Sequence, residues 1–308
     1  MTGALNLCAC GFSTWGSDLG GYFGWPEPAV FMRWTQFSAF SPLMRPHGKA
    51  PRDPWYFGEA AESNYKFHAW LRENLLDYIY GSAVIAHQTG IPIMRSMAIA
   101  FPGEHKLAVV GDQYMFGPDL LVAPVIDESE SRTIQFPSGR WTSLWDGSTV
   151  SGPADHKASV PLDRIPVYLR PGAALPVQLN RALHFGASMN NDCITGLVVT
   201  PPNGAESSSR FNVEVEVANV TVKSTARGFA WTLENLPATS YLLVYGTVTA
   251  DKVRVDGKIL PRLTTDQLES TSAGWGPDQA GNRLIIRLPS SHVLRKVITV
   301  DLHELKKL

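Results

Sequence analysis

The sequence has 308 residues, of which 44% are hydrophobic and 18% charged. These are ordinary globular values that provide for a real core, and the length suggests about two domains. A net charge of −1 gives no reason to expect nucleic acid or a membrane surface as partner, and no apolar run is long enough to span a bilayer. Three cysteines, Cys8, Cys10 and Cys193, are too few for a disulfide framework, so buried thiols are expected.

In chain order, Leu5 to Cys10 alternates apolar side chains and reads as a short strand. It runs into a loop opening at Gly11, in which Trp15, Tyr22, Phe23 and Trp25 crowd around Asp18. Gly20 and Gly21 allow a sharp turn there. Aromatic faces near a carboxylate and an imidazole suit a sugar, because rings cover the apolar faces of a pyranose and polar groups bind its hydroxyls. Pro26 to Phe40 reads as a helix with Pro26 in its first turn and Val30, Phe31, Trp34 and Phe37 on one face. Ser41-Pro42 ends it. Residues 45 to 58 form a loop rich in Pro, Gly and charge. A second helix runs from about Glu59 to Thr89, with Phe67, Trp70, Leu71, Leu75, Tyr78 and Ile79 as its stripe and Gly90 as its cap. Ile91 to Phe101 reads as a second strand.

From Asp119 the texture changes. Leu120 to Val125, Arg132 to Phe136, Trp141 to Leu144 and Val167 to Leu169 read as short strands between turns. Phe211 to Val217 alternates as a half-exposed strand. Tyr241 to Tyr245, Val253 to Val255 and Leu284 to Leu288 follow, with Asp256-Gly257 as a hairpin turn. Ser207 to Ser209 and Thr264 to Gly281 read as surface loops. The C-terminal two thirds is expected to be free of helix.

Several strings occur together. They are Trp15-Gly-Ser-Asp18-Leu-Gly-Gly-Tyr22, Arg33-Trp34-Thr-Gln36-Phe-Ser-Ala-Phe40-Ser-Pro42-Leu-Met-Arg45-Pro-His47, Leu75-Leu-Asp77-Tyr78-Ile-Tyr80 and Gly90-Ile-Pro92-Ile-Met-Arg95. Asp112-Gln-Tyr114-Met-Phe116-Gly117-Pro-Asp119-Leu-Leu-Val-Ala-Pro124, Pro137-Ser-Gly139-Arg-Trp141 and Ile165-Pro-Val-Tyr-Leu-Arg-Pro-Gly172 follow. In this order they resemble glycoside hydrolase family 31, the α-glucosidases and α-xylosidases. Tyr22 stands where the family usually has Phe, Asp77 where it has Pro, and Pro46 separates Arg45 from His47.

The resemblance implies a fold of α/β plus all-β type: the C-terminal end of a (β/α)8 TIM barrel followed by two β-sandwich domains. Residues 1–117 would be the last, incomplete β/α units, 118–180 a proximal sandwich and 181–308 a distal one. The implied activity is retaining hydrolysis of α-glucosides or α-xylosides, with an α-linked oligosaccharide or glycoside as partner. Such chemistry needs two close carboxylates. The family's nucleophile and acid/base motifs do not occur here, so no residue of this chain is expected to be catalytic, and both aspartates are expected upstream of Met1. The chain alone is then expected to be inactive.

His47, by resemblance, contacts the hydroxyls of the sugar at the cleaved position, since a neutral imidazole both donates and accepts. On spacing alone a loop histidine satisfied by backbone is the commoner outcome; Asp18 and Tyr22 upstream reverse that order. Arg45 is expected to pair with Asp18 and orient the loop; Trp15 is either core or site wall, with the wall preferred. Arg95 reads as structural, and Glu27, Asp53 and Glu59 as solvated. Eight histidines without ligand spacing give no metal site, and no cofactor is expected. The N-terminus lacks the basic region of a signal peptide, which leans toward the cytoplasm. A homo-oligomer of the full-length enzyme stays open. The rival accounts are a non-catalytic carbohydrate-binding or structural β-sandwich fragment, with Trp231 and Trp275 as its candidate exposed aromatics, and a fragment that does not fold alone.

Overall fold

The computed structural model describes residues 1–189, 193–213, 216–236, 240–247, 249–290 and 295–302. Two compact units emerge. The first comprises Met1–Ser138, Gly152–Tyr168 and His184–Met189, and the second Gly139–Ser151, Leu169–Leu183 and the chain from 190 onward.

The first unit begins with helix α1 (Thr2–Ala9), strand β1 (Gly16–Asp18), helix α2 (Pro28–Ala39) and strand β2 (Leu43–Arg45). Helices α3 (Glu59–Asn74) and α4 (Leu76–Thr89) follow, then β3 (Met94–Ser96) and the single turn α5 (Met97–Ala100). Strands β4 (Tyr114–Phe116), β5 (Leu120–Val122), β6 (Ser131–Ser143), β7 (Thr149–Ser159) and β8 (Val167–Leu169) form a sheet with β3 in the order β3-β4-β5-β8-β6-β7.

Five expectations are corrected in this part of the chain. Leu5 to Ala9 is helical, not extended, with Cys10 as the cap: Leu5 and Cys8, three apart, are buried while Leu7 is exposed. Six residues are too few to separate a period of 2 from one of 3.6. The stretch 91–101 contributes only three strand residues, because the Ser96 hydroxyl accepts from the Ile99 amide and starts a helical turn. That strand pairs antiparallel with β4, whereas the parallel partner of β1 is β2. The helix expected over 59–89 divides at Leu75, beside a buried Asn74 whose Oδ1 accepts from the Gly186 amide at 2.9 Å. The two strands expected over 132–144 are one, with Gly139 at φ +117° carrying the chain through. In α2, Pro28 rather than Pro26 occupies the first turn, and Val30 is exposed.

The helices of the first unit are tied by arginines to backbone carbonyls. Arg72 of α3 donates to the carbonyls of Ala39, Ser41 and Pro42, the last two at 2.7 and 2.6 Å. It thereby satisfies carbonyls at the end of α2 that the helix leaves unpaired. Arg33 and Gln36 of α2 bond the carbonyls of residues 160–164, and Trp34 donates to the Ser17 hydroxyl of β1 at 2.9 Å. Leu19, Phe31, Met32, Phe57 and Ala61 form the local core. The Tyr78 hydroxyl donates to the Phe116 carbonyl (2.7 Å) and accepts from the Asp119 amide (2.8 Å). Two strings of the sequence, around Tyr78 and around Gly117, therefore meet at one buried hydroxyl.

The second unit is β-rich. Strands β9 (Ala174–Leu179), β10 (Ile194–Val199), β11 (Glu206–Val213), β12 (Glu216–Thr225), β13 (Gly228–Glu234) and β14 (Tyr241–Tyr245) come first. They are followed by β15 (Lys252–Val255), β16 (Lys258–Ile259), helix α6 (Thr265–Ser270), β17 (Gly274–Asp278), β18 (Arg283–Arg287) and β19 (Arg295–Asp301). One sheet has the order β17-β18-β14-β10-β9, and another β11-β12-β13-β19-β15-β16. Inward residues of both, among them Leu197, Val244 and Ile286 from one and Val220, Trp231 and Ile298 from the other, make one core. The Asp256-Gly257 hairpin forms as expected, both residues having positive φ. Ser207 to Ser209 lies in β11, not in a loop. Residues 264–281 hold α6, with a Thr264/Gln267 capping box, and β17, so this part of the chain is not helix-free. Within the alternation read over 211–217, residues 214 and 215 lie outside the described residues.

Candidate sugar-binding site

Strands β1 and β2 run parallel, with Gly16 opposite Leu43, Ser17 opposite Met44 and Asp18 opposite Arg45. Both strands stop in the same plane, so the loops that leave them emerge side by side. The Asp18 carboxylate accepts from the Arg45 guanidinium, forming the expected ion pair. The Leu19 amide donates to the Arg45 carbonyl at 3.0 Å and extends the pairing by one bond. Beyond it, Gly20 and Gly21 have φ of +79° and +83°, a region that only glycine enters without strain. The chain turns back there, and the Gly21 amide closes the turn on the Asp18 carbonyl at 2.7 Å.

This turn delivers Tyr22 to the imidazole of His47. Their ring centroids are 5.6 Å apart at an interplanar angle of 41°, and Phe23 meets Tyr22 edge-on at 4.8 Å. Tyr22 and His47 are both exposed. The Lys49 amide donates to the Tyr22 carbonyl at 2.7 Å, which stitches the two loops together. Asp18, Tyr22, Arg45 and His47 are thus brought together.

Trp15 is placed elsewhere. It precedes β1, at the opposite end of that strand from Asp18, and its indole donates to the Cys8 thiol at 3.1 Å. Its ring lies 6.1 Å from Phe37. Burial pushes the Cys8 thiol up from its ordinary pKa against the opposing effect of that hydrogen bond, so the group is held as a thiol. Arg95 donates to the Pro92 carbonyl at 3.0 Å. Trp231 and Trp275 are 0% and 2% exposed, which removes them as an exposed sugar-binding face.

Three arginines of this framework were given no role from the sequence. Arg72 holds the segment before β2, Arg33 ties α2 to residues 160, 161 and 164, and Arg52 holds the loop after β2. The clue to Arg52 was its setting between Gly48, Pro51 and Pro54, since a loop stiffened by proline offers carbonyls with fixed directions. Among the described residues no three His, Cys, Asp or Glu side chains gather as a metal site. No helix among them is long and apolar enough to cross a membrane.

Residues 1–82 match the profile described as the glycosyl hydrolases family 31 TIM-barrel domain, and residues 90–175 that of the family's C-terminal domain. The chain belongs to glycoside hydrolase family 31. An isomaltosyltransferase of Sporosarcina globispora is 28% identical over 320 residues, 97% of this chain and 29% of that protein. An α-xylosidase of Saccharolobus solfataricus is 34% identical over 195 residues, 61% of this chain and 26% of that one. In structure, a cycloalternan-forming enzyme from Listeria monocytogenes, determined with a pentasaccharide substrate, superposes with a TM-score of 0.89 at 24% identity. That match covers 96% of this chain and 30% of that enzyme. The chain therefore spans less than a third of the length of these proteins.

Proposed function

We propose that this chain is the sugar-floor and β-domain portion of a family 31 glycosidase acting on α-glucosides or α-xylosides. The observation that carries the reading is the meeting of Tyr22 and His47 above the Asp18–Arg45 pair, at the shared end of two parallel strands. An aromatic face beside an imidazole matches one face of a pyranose and its adjacent hydroxyls. Asp18 is occupied by Arg45, so it shapes the floor and is not the nucleophile. We assign the two catalytic carboxylates to the polypeptide outside these residues, where they would perform a double displacement through a glycosyl-enzyme intermediate. Trp15 braces β1 in this scheme and does not touch sugar. Residues 1–117 are read as the end of a (β/α)8 barrel, which the β1–β2 register supports. Residues 118–180 and 181–308 are read as two β-sandwiches, and the core shared by two sheets supports the second.

A second reading has its own support. The isomaltosyltransferase and the cycloalternan-forming enzyme align over nearly the whole chain, whereas the α-xylosidase aligns over 61% of it. The glycosyl group would then pass to a sugar hydroxyl instead of water. The test is to incubate the protein carrying this chain with an aryl α-glucoside, an aryl α-xyloside and an α-linked disaccharide, and to separate the products. Free monosaccharide supports hydrolysis, and longer oligosaccharides support transfer. His47→Ala should lower kcat/KM by about 10- to 100-fold, the loss expected for strong hydrogen bonds to substrate. Absence of turnover on all three substrates, or turnover indifferent to His47→Ala, would sink the assignment. The isolated 308-residue chain should be silent; turnover by it would place a catalytic carboxylate within this chain.

A further inference from the structure

Arg52 is a buried cation, 4% exposed, and every hydrogen bond it makes among the described residues goes to a backbone carbonyl. Its Nε and Nη2 donate to the Gly21 carbonyl at 3.1 and 2.7 Å. Nη2 also donates to Gly24 at 2.8 Å. Nη1 turns the other way, to Ala50 at 3.3 Å and Pro51 at 3.1 Å. One planar fork therefore grips two loops, the one that carries Tyr22 and the one that carries His47. Gly21 and Gly24 have φ of +83° and +72°. Tyr22 lies between these two anchored carbonyls, and its own carbonyl is taken by the Lys49 amide.

Burying a charge against carbonyl dipoles is a costly way to fill space, and an apolar side chain would serve as well for stability alone. The fork adds direction, since a guanidinium presents five donors in a fixed plane. We propose that Arg52 is a positioning residue: it clasps the Tyr22 loop to the His47 loop and so sets the shape of the sugar-recognition face. The inference rests on the reading of Tyr22 and His47 as sugar contacts. Arg52 bonds the carbonyls of these loops, and its effect on sugar passes through the loops.

The test uses Arg52→Lys and Gly48→Ala. Lysine keeps the charge and cannot span both loops. Gly48→Ala keeps Arg52 but brings a Cβ to 3.0 Å from its Cζ and Nε, so the fork has to give way by a few tenths of an ångström; it serves if the lysine variant fails to fold. The first measurement is amide hydrogen exchange, followed by peptide over residues 18–25 and 46–52. Exchange there should quicken by about tenfold or more in Arg52→Lys, and by less in Gly48→Ala, while α3, β13 and β14 exchange as in the parent. Unchanged exchange in the two loops, or acceleration spread evenly through the protein, overturns the clasp. The second measurement is steady-state kinetics of the protein carrying this chain on an aryl α-glucoside. Arg52→Lys should lower kcat/KM about tenfold with kcat sharing the loss, because hydrogen bonds to the sugar strengthen in the transition state. Loosened loops with unchanged kinetics refute the positioning role. Loosened loops in a protein that turns over no α-glycoside leave the clasp standing and remove the sugar assignment instead.

Discussion

Acid should destabilise this protein through His68 before its carboxylates respond. His68 lies on α3 and is 0% exposed. Its Nδ1 is 2.8 Å from the Asn64 carbonyl, one turn back, and donates to it. Nε2 is buried without a hydrogen-bond partner among the described residues, so a second proton would be charged and unsolvated. Burial is the main cause that holds the folded pKa down to about 4, from an ordinary 6.5. The Asn64 bond and Asp163 act upward, and Arg164 acts downward. Between these two values the unfolded chain binds a proton that the folded chain refuses, so stability falls as pH falls. The loss begins near pH 6.5 and is complete below about 4. At 1.36 kcal/mol per pKa unit the whole effect is roughly 3 kcal/mol, with about 2 kcal/mol gone by pH 5. Urea unfolding followed by tryptophan fluorescence at pH 7, 6, 5 and 4.5 measures it. His68→Gln, which cannot charge, isolates the histidine from the carboxylates. The parent should lose about 2 kcal/mol more than the variant between pH 7 and 5. Parallel pH profiles for the two proteins would refute the reasoning.

Three other substitutions probe the frame. Tyr78→Phe removes the hydroxyl that bonds both the Phe116 carbonyl and the Asp119 amide in the interior, and should cost about 1–3 kcal/mol in a urea titration. Gly117→Ala should be as damaging: the glycine has φ +61°, and a Cβ would lie 2.4 Å from the Tyr78 hydroxyl. A thermal melt within a degree of the parent would show that the Tyr78 site is slack. Trp231→Ala empties a fully buried position in the core of the second unit and should cost about 3–5 kcal/mol. Oligosaccharide affinity should be untouched at whatever temperature the variant stays folded, because Trp231 faces the core.

The site was legible in the sequence to the extent that its parts are local. The paired glycines after Asp18 announce a turn because no other residue adopts φ near +80° without strain. Arg45 and Asp18 are twenty-seven positions apart, and their pairing was foreseen only from the company they keep. The supporting cations were not foreseen. Arg33, Arg52 and Arg72 bond carbonyls, and every residue has a carbonyl, so no spacing marks the partner. Trp15 could be read as core or as site wall; it stands before β1 while Tyr22 follows that strand, and its indole bonds the Cys8 thiol.

Secondary structure divides along the same line. Long periodic stretches such as α2, α3 and α4, and the Asp256-Gly257 turn, were set by side-chain spacing and backbone preference within a few residues. The three-residue strands β1, β2 and β3 carry no period that a reader could detect. They exist because a neighbouring strand takes their hydrogen bonds. Leu5 to Ala9 is helical because the burial of Leu5 and Cys8 selects one of two patterns that the residues fit equally. The sequence by itself determined which residues turn, which are apolar and which family they resemble. Only the tertiary structure decided which strand lies beside β1, and with it the meeting of Tyr22 and His47, because strand partners and carbonyl acceptors are supplied by distant backbone that no local pattern encodes.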